Sequence, residues 1–340
     1  MKNIIFLLSS ALLLFACCKH HLVQPIIPTP KNTDVTIEQD TLENIVFDYS
    51  IDTLQCDTAH FKDILYNDGL PRLAVSPPPK IFVRNFCFNS QNNDEVFIPR
   101  VKDTIRKISC YNFVKKSEKD ILILPKSIQN YMIGSSFTPN GWLLLTGGSG
   151  LYKVKTNGDS LTFLTSDVNF RPVWNQNGSK IAFRHYYDED HFYIIDNLGN
   201  RLDTIYGEPG VEFDWTKKDV YARQRNDGSV IEYNTQNQTR RLLVPSLGTG
   251  RGICWLGDFK TIAVATMNGL YIVDTETQKY RKIRCTGWQN SYYLSPAYSK
   301  KHHRIFAVKS QLINCYVSEV YLISMNIDGS DEQIEARSIY

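Results

Sequence analysis

From about residue 84 onward, short apolar runs alternate with short polar breaks, and the runs recur in a fixed order. The stretch from Arg171 to Asn200 shows the unit. An aromatic-ended run, PVW, meets Asn177-Gly178; IAFRHYY follows, then a charged loop, then HFYIIDN closed by Leu198-Gly199. Asn-Gly between two apolar runs is a hairpin signal, because a two-residue I′ turn needs positive φ at both positions. The third run continues the meander. Runs such as YIIDN, TIAVA and YLISM are apolar at successive positions rather than alternately. That pattern predicts strands covered on both sheet faces.

The unit repeats. Six segments begin with an aromatic-ended run, a turn and a second apolar run: NFCFNSQNNDEVFI from Asn85, GSSFTPNGWLLL from Gly134, RPVWNQNGSKIAF from Arg171, VEFDWTKKDVYA from Val211, GICWLGDFKTIAVA from Gly252 and LSPAYSKKHHRIFAV from Leu294. Their marker aromatics, Phe88, Phe137, Trp174, Trp215, Trp255 and Tyr298, are 49, 37, 41, 40 and 43 residues apart. Third runs recur as GLYKVKTNGD, HFYIIDNLGN, SVIEYNTQNQ, GLYIVDTETQ and VYLISMNIDG, and fourth runs as SLTFLT, RRLLVP and RKIRC. Four strands per period of about 40 residues is the signature of a propeller blade. The fold class expected is all-β: a six-bladed β-propeller of four-stranded antiparallel blades over residues 84–340. A β-sandwich or solenoid of similar period is the alternative.

Two resemblances add to this. Trp174-Asn175-Gln176-Asn177-Gly178 with Ile181-Ala182-Phe183, and Phe137-Thr138-Pro139-Asn140-Gly141, resemble the repeats of TolB-type six-bladed propellers, whose signature is Trp, Ser-Pro-Asp-Gly and Ile-Ala-Phe. Trp215 to Asp219 and the Tyr298 segment depart from it in the turn. At the amino terminus, Lys2 precedes an apolar run from Ile4 to Phe15 that is too short to span a bilayer, so residues 1–16 read as a signal peptide. Leu14-Phe15-Ala16-Cys17 resembles the lipobox of bacterial lipoproteins, which implies acylation of Cys17. An ordinary secretory signal or an uncleaved anchor is the alternative. Cys18 stands where inner-membrane lipoproteins of enteric bacteria carry Asp, so the resemblance implies the outer membrane, with the periplasmic face favoured. Residues 17–44, with Pro25, Pro28 and Pro30 and no apolar period, read as a flexible tether. Residues 45–83 hold a possible strand, NIVFDYS, and a possible short helix, and read as an irregular segment or the closure of the ring.

Composition changes little in this picture. The 340 residues are 42% hydrophobic and 21% charged, ordinary for a globular chain, and a formal net charge of +3 gives no basic field for nucleic acid. Tyr 19 and Phe 17 fit strands. G-x-S-x-G, P-loop, H-E-x-x-H, G-x-G-x-x-G and the sialidase Asp-box are all absent from the sequence. The seven histidines do not cluster as metal ligands, and no C-x-x-C spacing occurs. No cofactor, metal or catalytic set is therefore expected. Beyond Cys17 and Cys18 six cysteines remain. Cys87 with Cys110, and Cys254 with Cys285, each fall in one blade and are candidate disulfides in an oxidising periplasm. Buried apolar thiols are the equal alternative.

In a four-stranded meander, successive turns lie at opposite ends. The turns at Asn140-Gly141, Asn157-Gly158, Asn177-Gly178 and Asp328-Gly329 share one end and are expected to be tight. The other end gathers the blade-to-blade connections and is expected to be longer and richer. Its candidate binding residues are Phe170, Arg171, Arg184, His185, Tyr186, Arg251, Trp288 and Tyr292, since loops on a rigid scaffold carry binding. The function expected is a non-enzymatic, outer-membrane-anchored docking platform for an envelope protein or peptide. A glycan- or small-ligand-binding lipoprotein, or a lactonase- or lyase-like enzyme with a cation in its channel, are the alternatives.

Overall fold

The structure, a computed structural model, describes residues 86–337 except 103–104, 129–131, 138–140, 148–149, 167, 186–190, 207–211, 216, 287–290 and 315–316. The expected signal peptide, Cys17, the tether and residues 45–83 lie outside the described residues.

Twenty-four strands among the described residues form six sheets of four. Blade 1 is β1 (Cys87–Asn89), β2 (Asn92–Lys102), β3 (Ile105–Asn112) and β4 (Ser117–Ile123). Blade 2 is β5 (Met132–Phe137), β6 (Trp142–Gly147), β7 (Gly150–Lys155) and β8 (Thr162–Ser166). Blade 3 is β9 (Val168–Trp174), β10 (Lys180–His185), β11 (His191–Asp196) and β12 (Arg201–Tyr206). Blade 4 is β13 (Glu212–Asp214), β14 (Val220–Gln224), β15 (Val230–Asn234) and β16 (Arg240–Val244). Blade 5 is β17 (Gly250–Trp255), β18 (Thr261–Thr266), β19 (Gly269–Asp274) and β20 (Tyr280–Cys285). Blade 6 is β21 (Ser291–Ser299), β22 (Arg304–Asn314), β23 (Val317–Asn326) and β24 (Gln333–Arg337).

Each sheet is an antiparallel meander in chain order. The first strands β1, β5, β9, β13, β17 and β21 touch one another in succession around the ring, so they are innermost. Fourth strands such as β4, β8 and β12 are mostly exposed and form the outer wall.

The core is six seams, one between each pair of neighbouring blades. Phe97 and Ile108 meet Leu143 and Val154 between blades 1 and 2. Leu144 and Leu151 meet Trp174 and Phe183 between blades 2 and 3, and Phe192 and Ile194 meet Trp215 and Tyr221 between blades 3 and 4. Val230 and Leu243 meet Trp255 and Ile262 between blades 4 and 5, and Ala263 and Ile272 meet Ile305 and Ile323 between blades 5 and 6. The sixth seam closes the ring, setting Phe86, Val96 and Tyr111 of blade 1 against Phe306, Val308 and Leu322 of blade 6. Consecutive residues of one strand serve opposite seams: in β22, Ile305 and Ala307 face blade 5 while Phe306 and Val308 face blade 1. This is why the third and second runs are apolar at successive positions. The sequence period also has its reason here, because Trp174 and Trp255 end inner strands, Trp215 directly follows one, and all three fill seams, 6%, 4% and 2% exposed.

No strand is shared across the closing seam in the described sheets, so side chains hold it. Phe306 packs on Phe88 and Phe113 at 5.0 and 4.8 Å between ring centres. Tyr111 Oη donates to the Glu335 carbonyl at 2.6 Å. Lys301 Nζ lies 2.8 Å from both carboxylate oxygens of Asp94, and His302 Nε2 lies 2.7 Å from Oδ1.

Two expectations are corrected. The hairpin at Asn177-Gly178 forms, but not by a two-residue I′ turn. Gly178 N–H closes a four-residue turn onto the Asn175 carbonyl at 3.0 Å, and Gly178, not Asn177, has positive φ. Asn177 Oδ1 instead accepts the Ser179 N–H at 3.0 Å. Asp227-Gly228-Ser229 and Asp328-Gly329-Ser330 repeat this chemistry, their aspartates accepting the serine N–H at 3.0 and 2.8 Å. The cysteine pairs also differ. Cys87, Cys110 and Cys254 are thiols. Cys87 and Cys110 both stand opposite Phe97, on strands either side of it, which separates them by two strand spacings, about 9.5 Å. A disulfide needs Cα atoms within about 7 Å. Cys254 lies opposite Ala263 on β18 and Cys285 opposite Gly269 on β19, so three spacings intervene. Cys285 is nonetheless disulfide-bonded.

Candidate functional site

The two ends of the ring are built differently, though not in the way the sequence suggests. Loop length does not separate them. The turn from the second to the third strand is as short as two residues in blade 5, where Thr266 pairs with Gly269. At the opposite end, strand-one and strand-three turns run to several residues. They are also regular: Thr156 N–H bonds the Gly141 carbonyl, Thr235 the Asp219 carbonyl and Thr275 the Lys260 carbonyl, each at 2.8 Å. The same interlock thus ties neighbouring turns in three blades. We refer to this as the turn end and to the other as the connection end.

Four inner strands bulge part-way along their length. β5 bulges at Gly134-Ser135, β9 at Phe170-Arg171-Pro172, β17 at Arg251 and β21 at Ser295-Pro296, each falling out of register with the second strand. Bulges re-aim side chains and are frequent beside functional sites. They also let adjacent blades approach closely. A Cβ on Gly134 would lie 2.6 Å from Pro172, and a Cβ on Gly252, at φ +140, 2.7 Å from Pro296. Glycine before a neighbour's proline is therefore required at both places.

Of the expected binding residues, Phe170 and Arg171 lie inside β9, Arg251 inside β17 and Tyr292 inside β21, not in connections. The inner strands begin earlier than the polar breaks suggest, because the bulges carry pairing past them. Arg184 lies in β10, not in the following loop, and is 5% exposed. That burial removes it from a surface contact. His185 is the last residue of β10. Tyr186 and Trp288 lie outside the described residues. Arg251 Nε sits 3.1 Å from Met267 Sδ, and Met267 and Tyr292 are 43% and 37% exposed. Blade 5 thus brings a cation and a thioether together at the connection end.

Sequence reading missed the polar groups that tie neighbouring blades together. Gln224, wholly buried, accepts the Gly252 N–H at 2.7 Å and donates to the Ala265 carbonyl at 2.9 Å, bridging blades 4 and 5. Asp214 accepts the Trp255 N–H at 2.9 Å across the same pair of inner strands. In the seam between blades 5 and 6, Glu332 meets Lys309 Nζ at 2.6 Å, Tyr293 Oη at 2.9 Å and Arg284 Nε at 3.1 Å. Burial pushes the Glu332 pKa up, but Lys309, Tyr293 and Arg284 together hold it below the usual value. The Tyr293 phenol is driven above its ordinary range by burial and by the adjoining carboxylate. A lone Gln, Asp or Glu within apolar runs carried no periodic signal, so only the register reveals the partners.

No family model matches the sequence, and no curated protein does. Solved structures do match. A protein assigned as TolB from Agrobacterium tumefaciens superposes with a TM-score of 0.56 at 14% identity, covering 69% of this chain and 90% of that one. The chain has the fold of a TolB-type six-bladed propeller. KlHsv2, with its loop 6CD replaced by a Gly-Ser linker, aligns at a TM-score of 0.45 and 14% identity over 72% of this chain and 81% of that one. At these identities the likeness concerns the fold alone. Within the propeller, no group of three or more His, Cys, Asp or Glu among the described residues is placed to hold a metal.

Proposed function

We propose that the protein is a lipoprotein of the outer membrane, anchored through Cys17, whose propeller is a non-enzymatic docking platform for an envelope protein or peptide at its connection end. The observation that carries the reading is the contrast between a repeated frame and individual inner strands. Three blades repeat one hydrogen-bonded turn at the turn end, whereas four inner strands bulge, each at different residues. Variable groups on a rigid, bridged scaffold suit recognition, and exposed aromatic and arginine side chains are the commonest interface anchors. The TolB-type fold supports an envelope setting only as analogy.

Crosslinking and pull-down from cell envelopes tests the face. Arg251→Ala and Trp288→Ala should each reduce recovery of the partners caught by wild type, because losing one anchor typically costs about 2 kcal/mol of binding or more. Each variant is first checked for unchanged thermal unfolding. Recovery of the same partners by both folded variants would move the docking face elsewhere.

A further inference from the structure

Met267 sits in the short turn between β18 and β19, where Thr266 pairs with Gly269, and it is 43% exposed. A thioether at a turn tip is ordinarily mobile. Here the backbone around it is tied on both sides. Its N–H donates to the Thr249 carbonyl at 2.8 Å, and its carbonyl accepts the Thr286 hydroxyl. Asn268 Nδ2 donates to the Leu247 carbonyl, in the connection from blade 4, at 3.0 Å. Arg251 Nε donates to the Met267 sulfur at 3.1 Å. The strand that carries Arg251 is tied as well: Gly250 N–H bonds the Asn226 carbonyl at 3.0 Å, and Gly252 N–H bonds Gln224 Oε1 at 2.7 Å. Sulfur and guanidinium are thus held toward each other from two fixed backbones, at a position open to solvent.

A thioether sulfur has two lone pairs, one on each side of its C–S–C plane, and is a weak acceptor. Oxygen added to one or the other gives opposite sulfoxide epimers. In a free methionine both sides are equally accessible. At Met267 the Arg251 N–H is aimed at the sulfur and covers one side, which leaves the other to a small oxidant. Met325 on β23 is the contrast, 0% exposed within the seam of blades 5 and 6.

We propose that Met267 is a site of reversible oxidation by hydrogen peroxide, and that Arg251 directs the oxygen to one side of the sulfur so that a single sulfoxide epimer forms. The uncovered lone pair attacks one peroxide oxygen, the O–O bond breaks, and the departing hydroxide takes the proton of the transferred hydroxyl to leave as water. Sulfur gives up two electrons and the peroxide accepts them. The product sets a polar acceptor beside the guanidinium in place of an apolar thioether, and epimer-specific sulfoxide reductases reverse it.

The full-length protein, folded, is treated with hydrogen peroxide, quenched and digested, and its peptides are given one or the other epimer-specific reductase before mass spectrometry. Wild type should show one Met267 epimer in about fivefold excess or more, with Met325 unoxidised over the same exposure. Arg251→Ala should keep the unfolding temperature and bring the epimers to near equality. Arg281→Ala, which removes a cation near Asp328 on the outer strand of the same blade, should give the wild-type ratio. Equal epimers in wild type would overturn the assignment without any variant. So would a wild-type ratio in folded Arg251→Ala, or oxidation of Met267 no faster than that of Met325. No partner takes part, so the outcome is independent of the docking face.

Discussion

At the scale of single residues, Gln224 matters out of proportion to its size. Its wholly buried amide satisfies a backbone donor in blade 5's inner strand and a backbone acceptor in its second strand. Gln224→Leu keeps the volume and removes both partners. Each buried backbone group left unpaired costs about 1–3 kcal/mol, so the variant should lose about 2–4 kcal/mol. Urea unfolding should show a lower midpoint at unchanged slope. Gln278→Leu is the contrast, an exposed amide that also donates to a carbonyl, that of Leu242, at 2.8 Å, and it should stay within about 0.5 kcal/mol of wild type. Equal losses in the two variants would show that Gln224 is not a strut between blades.

Among elements, the seam between blades 6 and 1 carries a charged clamp at its turn end. Hydrogen bonds from Lys301 and then His302 hold the Asp94 carboxyl below its ordinary value. A carboxyl depressed in the folded state contributes stability above its unfolded pKa, and that contribution is lost as pH falls through the folded value. Asp94→Asn should therefore be less stable than wild type at neutral pH. The two should converge below about pH 4, where the unfolded carboxyl begins to protonate. Thermal unfolding of both proteins from pH 7 to pH 3 reads the difference, which removes the background from other carboxylates. A constant gap across that range would mean that Asp94 does not gate the seam.

At the scale of the whole molecule, six seams close on one another and leave no blade with a bare face. A chain ending after Leu294 would uncover Ala263 and Ile272 on one side and Phe86 and Val96 on the other. We expect that truncation to be insoluble. A soluble, folded product would favour an open solenoid, in which repeats depend only on their neighbours. The anchor is tested separately, in cells. Mass spectrometry should find mature protein beginning at residue 17 with acyl chains, and Cys17→Ala should yield a form not held by lipid. Wild-type protein released from membranes by high salt would refute the anchor, since acyl burial of about 0.8 kcal/mol per methylene is not screened by ions.

The sequence by itself determined the architecture. Each blade needs an aromatic at the end of its inner strand and apolar residues on both strand faces, and those demands recur every 40 or so residues whatever the neighbours do. The Asn-Gly and Asp-Gly steps marked turns for the same reason, as a local requirement for a left-handed residue. The tertiary structure decided what depends on register and on the next blade. Cys87 and Cys110 fall in one blade, yet sit across an intervening strand. Arg184 reads as the start of a loop, yet pairing carries β10 past it and buries it. The Gln224 bridge and the seating of Arg223 on Phe192 both arise where two blades meet. The partners of Gln224 lie 28 or more residues away, and Phe192 stands on a neighbouring sheet. Periodicity along one chain segment reports which face is buried; only the packed ring fixes which group stands opposite it.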